Sequence, residues 1–291
     1  MVEPSRRASR LALAGGVAAA LTLLGAGFLL GRGAQPEPAP VATPSPAPSP
    51  TPTASPTPIV QAALDRAGLI EAVRLAADAF ASGAPAPARV AELAGRRFEL
   101  RVPFGCAGPS AVLNTPLGWR YDEAEEILRV RVQPVLWEPS AWVPLQSVNQ
   151  VEAVEGFWIA RPWTTSDACP PNVGTGAGST GGAPDEQSLG VAQFHLAGGS
   201  RVGRSRGEPL EATERVAADA LNLGQGLRLR LTGRVTPAPG DGPIVCRALG
   251  GPERRPTCLV SVSFAEVAIE NPATGATLAT WDVSRNGAPG G

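Results

Sequence analysis

Between Leu11 and Leu30 the chain reads LALAGGVAAALTLLGAGFLL, apolar or small at every position except Thr22. As a helix this run is roughly 30 Å long, the thickness of a bilayer's hydrocarbon core. Arg6, Arg7 and Arg10 precede it and Arg32 follows closely. The positive-inside bias therefore holds residues 1–10 in the cytoplasm, spans with 11–31 and sends everything after it across. The competing reading is a cleaved signal peptide, whose apolar region is usually roughly 7 to 15 residues and ends in a small-x-small site. The run here is longer, and Gly31-Arg32-Gly33 is a poor site, so an anchor is expected. Both readings export the remainder. The expected setting is a bacterial envelope: a single pass of the inner membrane, with the C-terminal part periplasmic.

Residues 32–58 carry proline at nearly every second or third position and almost nothing to bury. Such a stretch behaves as a polyproline-type spacer, with a reach of up to about 80 Å at about 3.1 Å per residue. A folded domain is expected over 59–284, followed by a flexible tail at 285–291. Thr57-Pro58 supplies a helix start, and Leu69, Val73, Ala76 and Phe80 share one helical face. A shorter helix is expected over Ala88–Ala94.

Beyond this point the apolar period changes to two. Phe98, Leu100 and Val102 alternate with Glu99 and Arg101, and the same pattern recurs at 128–132 and 227–231. A strand with one polar face favours an antiparallel sheet. Val260, Val262 and Phe264 hold one phase while Val267 and Ile269 hold the other, which predicts a bulge near Ala265-Glu266. Asn271–Gly275 should then turn the chain into a C-terminal hairpin. A second helix is expected over Glu211–Leu221 and a Gly-rich loop over 172–188. The fold class is α+β with a mainly antiparallel sheet and one or two helices.

Cys106, Cys169, Cys246 and Cys258 are even in number, and export would place them where disulfides persist. Cys246 and Cys258 flank a turn-prone segment and are expected to pair across a hairpin, which leaves Cys106 for Cys169. No C-x-x-C occurs and there is a single histidine, so neither a metal site nor any cofactor is expected. A formal net charge of −1 gives nucleic acid no electrostatic footprint.

Several motifs resemble chemistry. Gly203–Gly207 matches G-x-S-x-G, but His195 precedes Ser205, opposite to the order that elbow requires. Ser205 is therefore expected in a polar loop without a base, and His195 as a packed strand residue. Gly176–Gly181 matches G-x-G-x-x-G but follows Pro170-Pro171 rather than an apolar strand. Asp122, Glu123, Glu125 and Glu126 are read as a solvated hairpin turn. Arg201, Arg204 and Arg206 are read as a charged loop. The most suggestive feature is aromatic: Trp119, Trp137, Trp142, Trp158 and Trp163 crowd one stretch with Tyr121 and Phe157. They either fill the core or present faces for stacking on sugar rings.

No catalytic residue is assigned. The expected function is a non-enzymatic envelope interaction module, binding another envelope protein or cell-wall glycan. The alternative is an enzyme acting on wall polymer with carboxylates near the tryptophans. Protease added to spheroplasts is expected to remove the domain and leave a short stub in the membrane. Full protection would overturn the orientation, and a soluble product starting near Ala34 would reveal cleavage.

Overall fold

The computed structural model describes residues 62–113, 115–170, 187–199 and 205–284. The apolar run, the proline-rich segment, the Thr57-Pro58 start, the 176–181 motif, Arg201, Arg204 and the tail lie outside the described residues. Among the described residues no helix is long and apolar enough to cross a membrane.

The fold is mixed α+β, dominated by sheets. Helix α1 (Arg66–Ser82) begins later than its sequence pattern implies, and two interactions, a local cap and a pairing with a distant strand, set the boundary. The Asp65 carboxylate accepts from Gly68 N at 2.8 Å, a capping bond that satisfies an orphan first-turn amide. Just before it, Leu64 runs extended: its N–H donates to Arg97 O and its carbonyl accepts from Glu99 N. Leu69, Val73 and Ala76 are buried as the period requires, but Phe80, in the last turn, is 42 % exposed. Gly83 ends the helix in the left-handed region, φ 68°. Arg66, the first helical residue, is buried and donates to the carbonyls of Ala160, Arg161 and Thr164. Burial, followed by the Arg161 charge, lowers its pKa. A single turn, α2 (Ala88–Ala91), follows.

The strands are β1 (Arg97–Phe104), β2 (Leu117–Asp122), β3 (Ile127–Val132), β4 (Val135–Trp137), β5 (Val151–Trp158) and β6 (Leu189–Leu196). They continue with β7 (Leu210–Arg215), β8 (Leu227–Val235), β9 (Ile244–Arg247), β10 (Thr257–Glu270) and β11 (Thr277–Asp282). A short helix, α3 (Pro139–Trp142), and a 3-10 turn at Leu145–Gln150 lie between β4 and β5. The main sheet has eight strands in the order β1-β8-β10-β6-β5-β4, with β9 and β11 also pairing β10; β2-β3-β7 form a second sheet. Among the described residues every strand pair is antiparallel except β6 with β10.

The helix expected over Glu211–Leu221 is instead β7 followed by a 3-10 turn at Ala218–Ala220. Its residues pair with β3 from Ile127↔Arg215 to Val132↔Leu210. A waiting strand margin outweighs the helical preference of Glu, Ala and Arg, which is worth only tenths of a kcal/mol per residue, about 0.1 to 0.7.

Strand β10 organises the rest. β9 and then β8 run antiparallel to it, over Thr257–Val260 and Val262–Glu270. Residues 236–243 loop out between them, and Ser261 clasps both ends: its carbonyl accepts from Thr236 N and its N–H donates to Pro243 O. The expected bulge lies between Phe264 and Glu266 and brings Val267 and Ile269 back to the core face. Gly233 makes room there, since a Cβ on it would lie 2.1 Å from Ser263 O.

One face of the main sheet packs against α1 and the second sheet in a core that includes Leu69, Phe98, Trp119, Val130, Leu231 and Phe264. On the opposite face a smaller core gathers Trp142, Val143, Val154, Val245 and Leu259. Disulfides join Cys106 to Cys169 and Cys246 to Cys258, across sequence separations of 63 and 12 residues. Both are the pairings expected from the sequence. In the chain-entropy view they stabilise the fold by about 4 and about 3 kcal/mol. Non-reducing digestion should recover both linked peptides, and reduction should lower the unfolding free energy by an amount of that order, read from denaturant titrations. Four alkylatable thiols in the native protein would contradict the pairing.

Candidate functional site

β6 and β10 run side by side only from Leu189↔Cys258 to Ala192↔Ser261, and then part. β6 continues to pair with β5 through Leu196. The fork opens into a groove of about 420 Å³, walled by Phe194, Leu196, Pro237, Ala238 and Pro239. Gln150, Gln193, Thr236, Ser261 and Ser263 contribute neutral polar groups. Among the described residues that line it, none carries a charge. Two contacts hold the geometry: the Thr236 and Ser261 hydroxyls lie 3.0 Å apart, and Gln193 Oε1 accepts from Phe264 N at 3.1 Å, bridging the parted strands.

Gln193 also borders a second, smaller cavity of about 40 Å³ on the other face of the sheet. Around it stand Glu155 of β5, His195 of β6 and Ser205. The Glu155 and His195 side chains are each 5 % exposed, with His195 Nε2 3.7 Å from Glu155 Oε2. Ser205 N and Ser205 Oγ both donate to Glu155 Oε2, at 2.9 and 3.2 Å, and Arg206 N donates to Oε1 at 2.8 Å. Ser205 Oγ in turn accepts from Gly207 N. The successive amides of Ser205 and Arg206 thus point at one carboxylate, and the turn continues through left-handed φ of 58° at Arg206 and 76° at Gly207.

Ser205 lies in a loop and His195 in a strand, as expected. Ser205 and His195 meet at one carboxylate that no motif flagged. The only available signal was Glu155 itself, an acid in the apolar run VEAVEGFW. The order of contacts differs from a catalytic triad, in which imidazole lies between hydroxyl and carboxylate. Here the carboxylate lies between the other two and is occupied by amide donors. The arrangement is suited to anchoring the 205–207 turn onto the sheet.

The tryptophans do not form one surface. Trp119 is 1 % exposed in the main core, its Nε1 donating to Gly105 O, and Trp142 is 2 % exposed in the smaller core. Gly105, at φ 63°, is required there, because a Cβ would lie 2.1 Å from the indole nitrogen. Trp137 and Trp158 meet edge to face at 5.0 Å, partly buried against the smaller core. Trp163 alone of the five is exposed, at 60 %. Phe157 is buried against Phe264.

Asp122–Glu126 form the β2–β3 turn, as expected, with Asp122 Oδ1 accepting from Ala124 N and Glu125 N. The Tyr121 hydroxyl donates to Val216 O at 2.7 Å. Burial raises its pKa, as do Glu126, Glu123 and the neighbouring acids.

Removing the Glu155 charge tests the anchor. A hydrogen bond to a charged group is worth about 1.5 to 3 kcal/mol, and an abandoned buried donor costs a comparable amount. Ser205→Ala should lower unfolding free energy by about 1 to 2 kcal/mol, and Glu155→Gln by about twice that, read from denaturant midpoints. A serine-directed phosphonate probe should leave Ser205 unlabelled; labelling would assign it a nucleophile's role.

No family model matches the chain, and comparison with curated proteins and with solved structures returns no match.

Proposed function

We propose that this chain is a membrane-tethered, extracytoplasmic binding module of the cell envelope, non-enzymatic, whose groove between β6 and the 236–239 loop takes part of an envelope component. The observation that carries the reading is the uncharged lining of the groove. An acid–base enzyme keeps a proton donor or acceptor where its substrate lies. In this domain the Glu155–His195–Ser205 cluster borders the other cavity, on the opposite face of the sheet. The groove has the usual character of a ligand site: a volume within the common range of about 300 to 1,000 Å³, apolar walls and a few neutral polar groups. Two disulfides agree with an oxidising compartment.

The test is crosslinking in living cells. A photoreactive residue in place of Leu196, a groove wall 53 % exposed, should capture a defined envelope protein or wall fragment. The same residue in place of Val112, 62 % exposed and outside the groove lining, should not. Identical products from both positions, or none from Leu196, would overturn the reading.

A further inference from the structure

The outer face of the β1–β8–β10 sheet carries rows of arginine, and most of them are neutralised. Arg101 lies 2.8 Å from Glu270 and 2.7 Å from Glu99. The Glu270 hydrogen bond is the leading cause of the raised Arg101 pKa. Arg230 lies 2.8 Å from Glu266, and Arg228 lies 3.6 Å from Asp167. One row differs. Arg97 and Arg234 stand directly opposite each other on β1 and β8, both exposed, and neither has a carboxylate within ion-pairing distance among the described residues. Like charges directly opposite across a pair of strands cost stability. In the same row Arg234 faces Ser263, a groove residue. Arg234 Nη1 donates to Gly95 O at 3.1 Å, so part of its fork is engaged, but no carboxylate among the described residues neutralises either guanidinium, and the two extend the line of the groove's polar floor.

The groove also offers main chain. Strand main chain alternates its N–H and C=O between the two margins. Cys258 N donates to Ser188 O, so the even residues of β6 face β10. Once β10 departs after Ala192, the main chain of Phe194 on that margin has no neighbouring strand among the described residues. A strand margin without a partner is what an extended peptide pairs with.

We propose that the groove binds an extended, otherwise uncharged peptide segment through a carboxylate, an acidic side chain or a C-terminus, received by Arg97 and Arg234. The inference rests on the groove reading above and adds the ligand's class and charge. Arginine suits the role because its planar fork of donors matches a carboxylate's two oxygens. The apolar walls select the neutral body of the peptide, and the open β6 margin selects its extended form.

The test uses the full chain in detergent, with the photoreactive residue in place of Leu196. The probes are two pools of acetylated six-residue peptides of random neutral sequence, one with free C-terminal acids and one with amides. The acid pool should crosslink about tenfold more than the amide pool, with the difference shrinking at high salt. The double variant Arg97→Gln, Arg234→Gln should erase that preference while its circular dichroism stays unchanged. If it does not fold, the single variant Arg97→Gln should weaken the preference several-fold. Equal capture of acids and amides, capture indifferent to both arginines, or no capture from either pool would overturn the inference. The in-cell products from Leu196 decide the groove reading separately, since they depend on neither pool.

Discussion

Strand β10 is the constraint on which this domain depends, because both of its margins are shared between successive partners. β9 and β8 take one margin in turn, while β6 and β11 take the other. A 14-residue strand whose neighbours change partway needs a local correction of phase. The bulge between Phe264 and Glu266 supplies it. Without it Val267 and Ile269 would turn outward and Glu266 and Glu270 would turn into the core. The handover between partners leaves two irregularities, the 236–243 excursion on one margin and the fork beside β6 on the other. The groove lies where they meet.

The same alternation separates stability from binding within β6. Gln193 and His195 face the main core side, where they border the Glu155 cavity. Phe194 and Leu196 face the other way and wall the groove. Gln193 borders both spaces, and its bond to Phe264 N closes the fork between them. Buried polar groups cost free energy unless each is satisfied, so a cluster like that of Glu155 persists only when its acceptors are filled. Filling them with the amides of residues 205 and 206 converts a buried acid into a fixing point for the turn that follows.

The aromatic residues follow the rule that large rings bring the most burial per side chain. Trp119 and Trp142 anchor two separate cores on opposite faces of the sheet. Their closeness in sequence arises because the chain crosses from one face to the other between β3 and β5. A run of tryptophans read from sequence as one feature is therefore three: a core pin, a second core pin with an edge-to-face pair beside it, and one exposed ring at Trp163.

Patterns of period two and 3.6, turn residues and cysteine spacing were enough to locate α1, the strands β1, β3, β8 and β10, the bulge, the final hairpin and both disulfides. Each but the Cys106–Cys169 bridge is a consequence of residues close together in the chain, whose phase or spacing is set by local geometry; that bridge, across 63 residues, follows once Cys246 takes Cys258. The strand at Leu210–Arg215 and the parallel pairing of β6 with β10 were decided only by tertiary contact, and the start of α1 partly so, through the pairing of Leu64 with β1. There a strand margin already in place supplied hydrogen bonds that outweighed propensities worth tenths of a kcal/mol, about 0.1 to 0.7 per residue. The meeting of Glu155, His195 and Ser205 and the alignment of Arg97, Arg234 and Ser263 gather residues spread over 50 and 166 positions of the chain. Strand register brings such residues together, and register is a property of the assembled sheet that no single segment encodes.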